Sequence, residues 1–524
     1  MSRRSERLTS GWDDAPPEAR RAILAALLAV FVGALDLTVI ATILPRIVRD
    51  LQINTADIDR YIWIVNAYLL AYVIAIPVVG RISDLTGRRV AFTLALLAFV
   101  IGSLWCAAAH SLGWLIAGRT VQGAGGGALL PITMALVGDV LPPARRAAAL
   151  GLVGAIDTLG WVLGPLWGAL IVSSEVSAEP WRWVFLLNVP FGVLAWLAIA
   201  RSPSFNVRAD VDSSLRGFDL GGAALLSSAL LLLHLGLSAG GEFAGHGATT
   251  GGRALGGTRN PLAAYSIVFI VAAVALGAVF VARERRSARP LMPPALFRSA
   301  RFSAAMAANF AAGASLIVAM VDVPVVVTLL VDPEQVATVT ALMMAPFTVL
   351  MALLSFAGGR LAVRLGERRT TWLGLLLAAL GYAALWLGLR GGDIRGMLPG
   401  LMLSGAGFGL VVAPIGATAI DAAPAADRGI AAGLTLVFRL LGMTVGISAL
   451  TAVAVNRLQA LVGDLRQIVQ LPGETTGEFL NRQAIFLEQT VIPLTLLVVR
   501  ETFLIAAVLA LLAMIPAAWL RSRQ

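Results

Sequence analysis

GRISDLTGRR, residues 80–89, returns 279 positions later as GRLAVRLGER, residues 359–368. Each copy has glycine at its first and eighth positions, Gly80 and Gly87 in one and Gly359 and Gly366 in the other, around an arginine-bearing stretch between two long apolar runs. Working outward, a shift of 282 superimposes Gly118 on Gly400, Gly123 on Gly405, Gly125 on Gly407, Asp139 on Asp421, Arg146 on Arg428, Gly151 on Gly433, Gly160 on Gly442 and Gly164 on Gly446. Glycine-rich helices produce scattered glycine matches by composition. An acid and a base recurring in the same register require a duplicated unit.

The 524 residues are 58% hydrophobic and 13% charged, which is not the composition of a soluble chain. A cytosolic enzyme is thereby excluded. All 40 basic residues are Arg, so neither a GxxxxGK[ST] phosphate loop nor a lysine Schiff base can exist. One cysteine, Cys106, and three scattered histidines, His110, His234 and His246, supply no disulfide framework, cysteine zinc site or histidine triad, so neither metal nor other cofactor is expected. The net charge of +10 does not point to nucleic acid, because the arginines lie mostly between apolar runs, as loop charges of membrane proteins do.

Runs long enough to cross a hydrocarbon core of about 30 Å fall at 22–44, 61–79, 90–109, 114–137, 148–171, 183–200, 218–237, 263–282, 302–330, 338–357, 370–389, 398–420, 430–455 and 501–520. They predict an all-α membrane protein of 6+2+6 helices: a short N-terminus (1–21), a six-helix half (22–200), a two-helix insertion with linkers (201–301) and a second six-helix half (302–524). Two such halves in the same orientation, related by an axis along the membrane normal, enclose a midplane cavity that opens alternately to each side as they rock. With Arg3, Arg4, Arg7, Arg20 and Arg21 inside, the inside loops also carry Arg81, Arg88, Arg89, Arg145, Arg146, Arg201, Arg208, Arg216, Arg283, Arg285, Arg286, Arg289, Arg360, Arg364, Arg368 and Arg369, and the tail carries Arg521 and Arg523. The outside loops hold fewer, so both termini are predicted in the cytoplasm. The first run contains Asp36 and lacks a small-residue cleavage site, so it is expected to remain a span.

Five motifs in order, LDLTVIATILP from Leu35, GRISDLTGRR from Gly80, LIAGRTVQGAGGGALLP from Leu115, LGWVLGPLWGAL from Leu159 and WRWVFLLNVPFG from Trp181, resemble the 14-span drug:proton antiporter branch of the major facilitator superfamily. RYIWIVNAYLLAYVIAIPVVGRISD from Arg60, LIAGRTVQGAGGGALLPITMAL from Leu115, GASLIVAMVDV from Gly313 and GIAAGLTLVFRLLGM from Gly429 resemble more closely the mycobacterial triacylglyceride exporters that work with a periplasmic lipoprotein. The resemblance implies the major facilitator fold, proton-driven export across the cytoplasmic membrane and a lipid-accepting lipoprotein partner; a monomer is expected. It also associates Gly160, Gly164, Pro165 and Gly168 with export and makes Arg119 a cavity arginine whose charge can modulate the proton affinity of the Asp36 carboxyl. The exporters' acidic residue on span five matches Thr158, one position after Asp157, so the resemblance carries over directly to Arg439 and one position out of register to Asp157.

Ionisable residues inside spans are costly and usually functional: Asp36, Arg119, Asp157, Asp322 and Arg439 are the short list. A carboxyl in the membrane can take a proton from one side and lose it when the cavity opens to the other, so Asp36, Asp157 and Asp322 are candidate coupling residues, Asp36 first. Asp157 plus 282 is Arg439, which predicts an acid and a base at equivalent positions, compensating across the cavity with Arg119 as the third charge. Asp322 is either a second proton site or a cap at a Pro324 break. In the 80–89 loop, Gly80 and Gly87 permit a tight turn, and Asp84 can pair with Arg88 or a helix dipole to hold the inner gate shut, with Arg89 beside it. Val363 stands where Asp84 would be in the second copy, so the latch is expected on one side.

From Gly429 to about Val469 no Pro occurs, and apolar positions precede Arg500 from about Phe479 onward. About 40 residues make a helix of about 60 Å. The last two helices are therefore expected to project about 20 Å into the outer compartment, with Phe486, Val491, Leu494 and Leu497 lining a path for acyl chains. Drug efflux on the same scaffold is the alternative, and a non-transporting receptor is the alternative of another class; the absence of a His, Cys or Lys constellation counts against an enzyme.

Overall fold

The structure is a computed structural model that describes residues 17–53, 61, 63–174, 177–202, 218–240, 265–332, 335–390, 393–462 and 474–520. Arg3, Arg4, Arg7, Arg208, Arg216, Arg521 and Arg523, and residues 463–473 between the last two helices, lie outside the described residues. Fourteen described helices are long and apolar enough to cross a membrane, and no strand occurs among the described residues. They are α1 (Pro17–Asp50), α2 (Trp63–Thr86), α3 (Arg88–Ala107), α4 (Leu112–Val140), α5 (Pro143–Ser173), α6 (Trp181–Ala200), α7 (Leu220–Gly240) and α8 (Ser266–Glu284). After these come α9 (Ala300–Leu330), α10 (Val336–Leu365), α11 (Glu367–Gly388), α12 (Leu398–Ala422), α13 (Arg428–Val462) and α14 (Thr476–Ala517). Odd-numbered helices start at one end of the bundle, here the near end, and even-numbered helices return to it.

Local chemistry sets the boundaries. Ser111 and Ser299 accept from the amides of Trp114 and Phe302 at the starts of α4 and α9, and Thr475 with Glu478 forms a capping box on α14. Gly87 and Gly366 turn α2 into α3 and α10 into α11 with φ of 89° and 85°, a conformation that a side chain would strain. The two are equivalent under the 279-residue shift.

In lipid, helices associate by close packing, and the repeat shows in where the glycines lie. Gly123 and Gly127 of α4 touch the backbone of Tyr68 and Tyr72 on α2, while Gly405 and Gly409 of α12 touch Phe347 and Met351 on α10. Gly160, Gly164 and Gly168 of α5 form the seat for α1 between Phe31 and Thr42; their counterparts Gly442 and Gly446 seat α13 on Phe310 and Ala314 of α9. The two six-helix halves meet where α2 packs on α13 and α5 on α10. Near the end of the bundle Gly80 abuts Gly429 and Gly359 abuts Ala147, another pair of equivalent contacts.

The inserted α7 and α8 pack mainly on each other and only lightly on α2 and α13. Arg283 donates to both carboxylate oxygens of Asp219, at 3.2 and 2.8 Å, and these bonds hold the Asp219 carboxyl, just outside α7, below its ordinary range.

The far end is asymmetric. Ser315 of α9 donates to the Ala506 carbonyl at 2.8 Å and Asp322 meets Thr502, an antiparallel register that puts Leu330, the end of α9, level with about Leu494. The preceding segment Thr476–Phe486 and the π-helical turn Leu487–Val491 contain no buried residue and extend about 24 Å further at 1.5 Å per residue. Helix α13 behaves differently. It runs parallel to α9, with Asn309 donating to the Thr435 carbonyl at 2.5 Å and Gly446 beside Ala314, so Val462 passes the end of α9 by about one turn. Residues 463–469, the last part of the long helix expected from Gly429 to about Val469, lie outside the described residues; the described part of α13 passes α9 only a little, because α9 is itself 31 residues long.

Candidate functional site

The near end is closed by charges that cross between halves. Arg428 reaches Asp139 at 3.1 Å and Arg146 ion-pairs with Asp421, so the equivalent acids and bases of the repeat are exchanged. Arg81 bonds Asp427 at 2.8 Å. Asp84 accepts from the backbone N–H groups of Gly429 and Ile430 at 2.7 and 2.9 Å, at the N-terminus of α13 where the helix dipole favours an anion. Arg88 pairs with Asp84 at 2.7 Å and with Asp139 at 2.8 Å. Asp84 and Arg88 are a buried pair within one half, and the contacts of Asp84 that cross to the other half are the two backbone N–H bonds. Arg89 stands beside this pair. It bonds the Ala200 carbonyl and ties α3 to the end of α6 within one half. Val363 leaves the equivalent position on α10 without an acid, as the sequence requires.

Midway along the bundle, Asp157 of α5 and Arg439 of α13 approach to 3.8 Å. They line a cavity of about 30 Å³, room for one or two waters, with Leu130, Met134, Asn309 and Thr435 around it. The described polar contacts between the halves lie from this level to the near end.

Asp36 and Arg119 stand elsewhere. Both are completely buried inside the first half, where Arg119 Nη1 donates to Asp36 Oδ2 at 2.7 Å and to Gln122 at 2.8 Å. Gln122 and Asn188 donate to Asp36 Oδ1 at 2.9 and 2.7 Å, and Ser103 accepts from both amides, at 2.8 and 3.3 Å. The expected triad of Arg119, Asp157 and Arg439 in one cavity is therefore corrected: Arg119 is engaged by Asp36, because α1, α3, α4 and α6 leave this acid no other cation. The guanidinium lies 4.0 Å from the centre of the Tyr68 ring, which stacks on Tyr72 at 6.0 Å. Gln122, Asn188, Ser103 and Tyr68 were missed as functional candidates. Their signal was present, since Gln122 and Asn188 are amides inside apolar spans, but a charge-based search passes over them.

Asp322 caps no break, since α9 continues through Pro324; it meets the Thr502 hydroxyl of α14 at 2.5 Å. Of the proposed exit residues, Phe486, Val491 and Leu494 are half-buried and Leu497 is exposed. Arg500 donates to the Trp386 carbonyl at 3.1 Å and Arg390 lies 4.4 Å from the Trp386 ring, the aromatic and basic mixture of a membrane interface.

A six-helix unit present twice around a central cavity is the architecture of a membrane transporter. The chain belongs to the Major Facilitator Superfamily, whose family model matches residues 26–447. It is 33% identical over 519 residues to a probable triacylglyceride transporter of Mycobacterium leprae, covering 96% of this chain and 97% of that one. It is 35% identical over 461 residues to a triacylglyceride transporter of Mycobacterium tuberculosis, covering 85% of each. Among solved structures it resembles the human organic anion transporter MFSD10, with a TM-score of 0.62 and 17% identity over 96% of this chain and 100% of that one. The proton:xylose symporter XylE gives a TM-score of 0.57 and 13% identity over 95% and 94%; likeness at these identities concerns the fold.

Proposed function

We propose that this transporter exports a hydrophobic, triacylglyceride-like lipid across the cytoplasmic membrane, driven by the proton gradient and working as a monomer. Near-full-length similarity to transporters named for triacylglycerides supports the substrate class. The arginines gathered at the near end support a cytoplasmic placement of that end and of both termini. The near-end ion pairs are then the cytoplasmic gate, closed in this state, and Asp157 and Arg439 are the cavity charges whose pairing changes as the halves rock.

The observation that carries the lipid reading is α14, whose unburied segment Thr476–Val491 extends where a water-soluble substrate would need nothing. An acyl chain leaving the cavity meets there a protein surface instead of water, and a periplasmic lipid-accepting lipoprotein would dock on it. The test is mass spectrometry of lipids co-purified with the wild type and with Leu494→Asn/Leu497→Asn, alongside triacylglyceride transport between donor and acceptor liposomes. Wild type without bound or transported neutral lipid, but with efflux of a cationic dye, would replace the lipid reading by drug efflux.

A further inference from the structure

We infer that Asp322 of α9 binds the coupling proton in this state and that Thr502 of α14 positions it; this rests on the proton-coupled reading and names the residue that couples. Thr502 Oγ1 lies 2.5 Å from Asp322 Oδ2 and 2.6 Å from the Val499 carbonyl oxygen. A hydroxyl has one proton to donate, and a helical threonine habitually gives it to the carbonyl three or four residues back. If Asp322 were ionised, two acceptors would face one proton, and one short oxygen–oxygen contact would contain no hydrogen. Both contacts are satisfied when the Asp322 carboxyl is protonated and donates to Thr502, which donates to Val499.

The surroundings agree. Among the described residues Asp36, Asp84, Asp139, Asp157 and Asp421 each have an arginine partner, whereas Asp322 has a hydroxyl. On α14, Arg500 is bound to the Trp386 carbonyl and Glu501 to Arg457. On α13, Arg439 faces Asp157. On α11, Tyr382 gives its hydroxyl to the Ser315 carbonyl. The charged groups of α10 and α12, Arg360, Arg364 and Asp421, lie at the near end. A membrane carboxyl without a countercharge is held neutral. Gly313 touches the Arg439 backbone, so Asp322, nine residues further along α9, stands about 13 Å beyond the cavity pair toward the far end. It takes one proton from water on that side. Release of that proton as the halves rock leaves a carboxylate, and Thr502 must then turn its hydroxyl from Val499 to Asp322. Because Thr502 belongs to the projecting helix, proton binding and the seating of that helix on α9 are linked.

The full-length protein in liposomes tests this by lipid transport with and without an imposed pH gradient, and by the infrared carbonyl stretch of protonated carboxyls. Asp322→Asn should lose gradient stimulation by about tenfold or more, keep gradient-free lipid exchange, and lack one carboxyl band. Thr502→Val should displace that band and shift the pH profile of transport, and Thr502→Ser should restore both; a merely structural Thr502 would lower rates equally at every pH. If wild type responds to the gradient and Asp322→Asn responds equally with its band intact, Asp322 is not the site. If wild type itself ignores the gradient, the proton-coupled reading falls and the inference with it.

Discussion

Asp157 and Arg439 occupy the same position in the two copies of the repeat, 282 residues apart, and their charged atoms lie 3.8 Å from each other across the cavity. Duplication brings equivalent residues of α5 and α13 to the axis, and divergence to opposite sign turns what would be repulsion into attraction. The separation exceeds hydrogen-bond length, so the pair can part without loss of a directed bond.

Neutralising one member leaves a charge facing the cavity alone. Asp157→Asn and Arg439→Gln are each expected to reduce lipid transport more than the double change does, with a coupling of about 1–3 kcal/mol. The exchange Asp157→Arg/Arg439→Asp should retain much of the activity, because the positions are equivalent. Initial transport rates in liposomes measure both, and strictly additive losses would reject the coupling.

At the gate, Asp84→Asn removes the anion from the α13 N-terminus and from Arg88. The near end should open more often, raising labelling of a cysteine at Thr435 from that side by about tenfold for each 1.4 kcal/mol lost, measured with Cys106→Ser as background. Val363→Asp adds the missing acid to α10 and is expected to slow both labelling and transport. Unchanged labelling in Asp84→Asn would remove Asp84 from gating.

Within the first half, Asp36→Asn strands the Arg119 charge in a fully buried network, a loss of about 3–5 kcal/mol. Its thermal unfolding temperature should fall, and Asp36→Asn/Arg119→Gln should recover part of it. A single variant that unfolds like wild type yet has lost only gradient-driven transport would make Asp36 the proton carrier, as the sequence reading had it.

On the projecting helix, Leu494→Asn/Leu497→Asn should suppress lipid release several-fold while sparing efflux of any small dye, which leaves the cavity directly for water. Equal loss of both transport activities, followed in the same liposomes, would indicate a folding defect instead of a blocked lipid path.

Much of this was legible in one dimension. In a bilayer the backbone polar groups of a lone apolar run must be satisfied within it, so runs of sufficient length form helices, and the described residues contain fourteen of them. A repeat in register equates positions, so the shift of 282 alone set Asp157 opposite Arg439 and Asp139 and Arg146 opposite Asp421 and Arg428. Helical periodicity states which face a residue occupies but not which neighbour meets that face. Only the packing of α1 against α4 and α6 decided that Gln122 and Asn188 join Arg119 on Asp36, and only the crossing of the halves decided that Arg146 pairs with Asp421 and Arg428 with Asp139. The length of α9 determined how far the described part of α14 projects beyond it, and the antiparallel register of α9 and α14 brought Thr502 to Asp322. These contacts join residues far apart in the chain, and their partners are selected by three-dimensional fit, which no local spacing records.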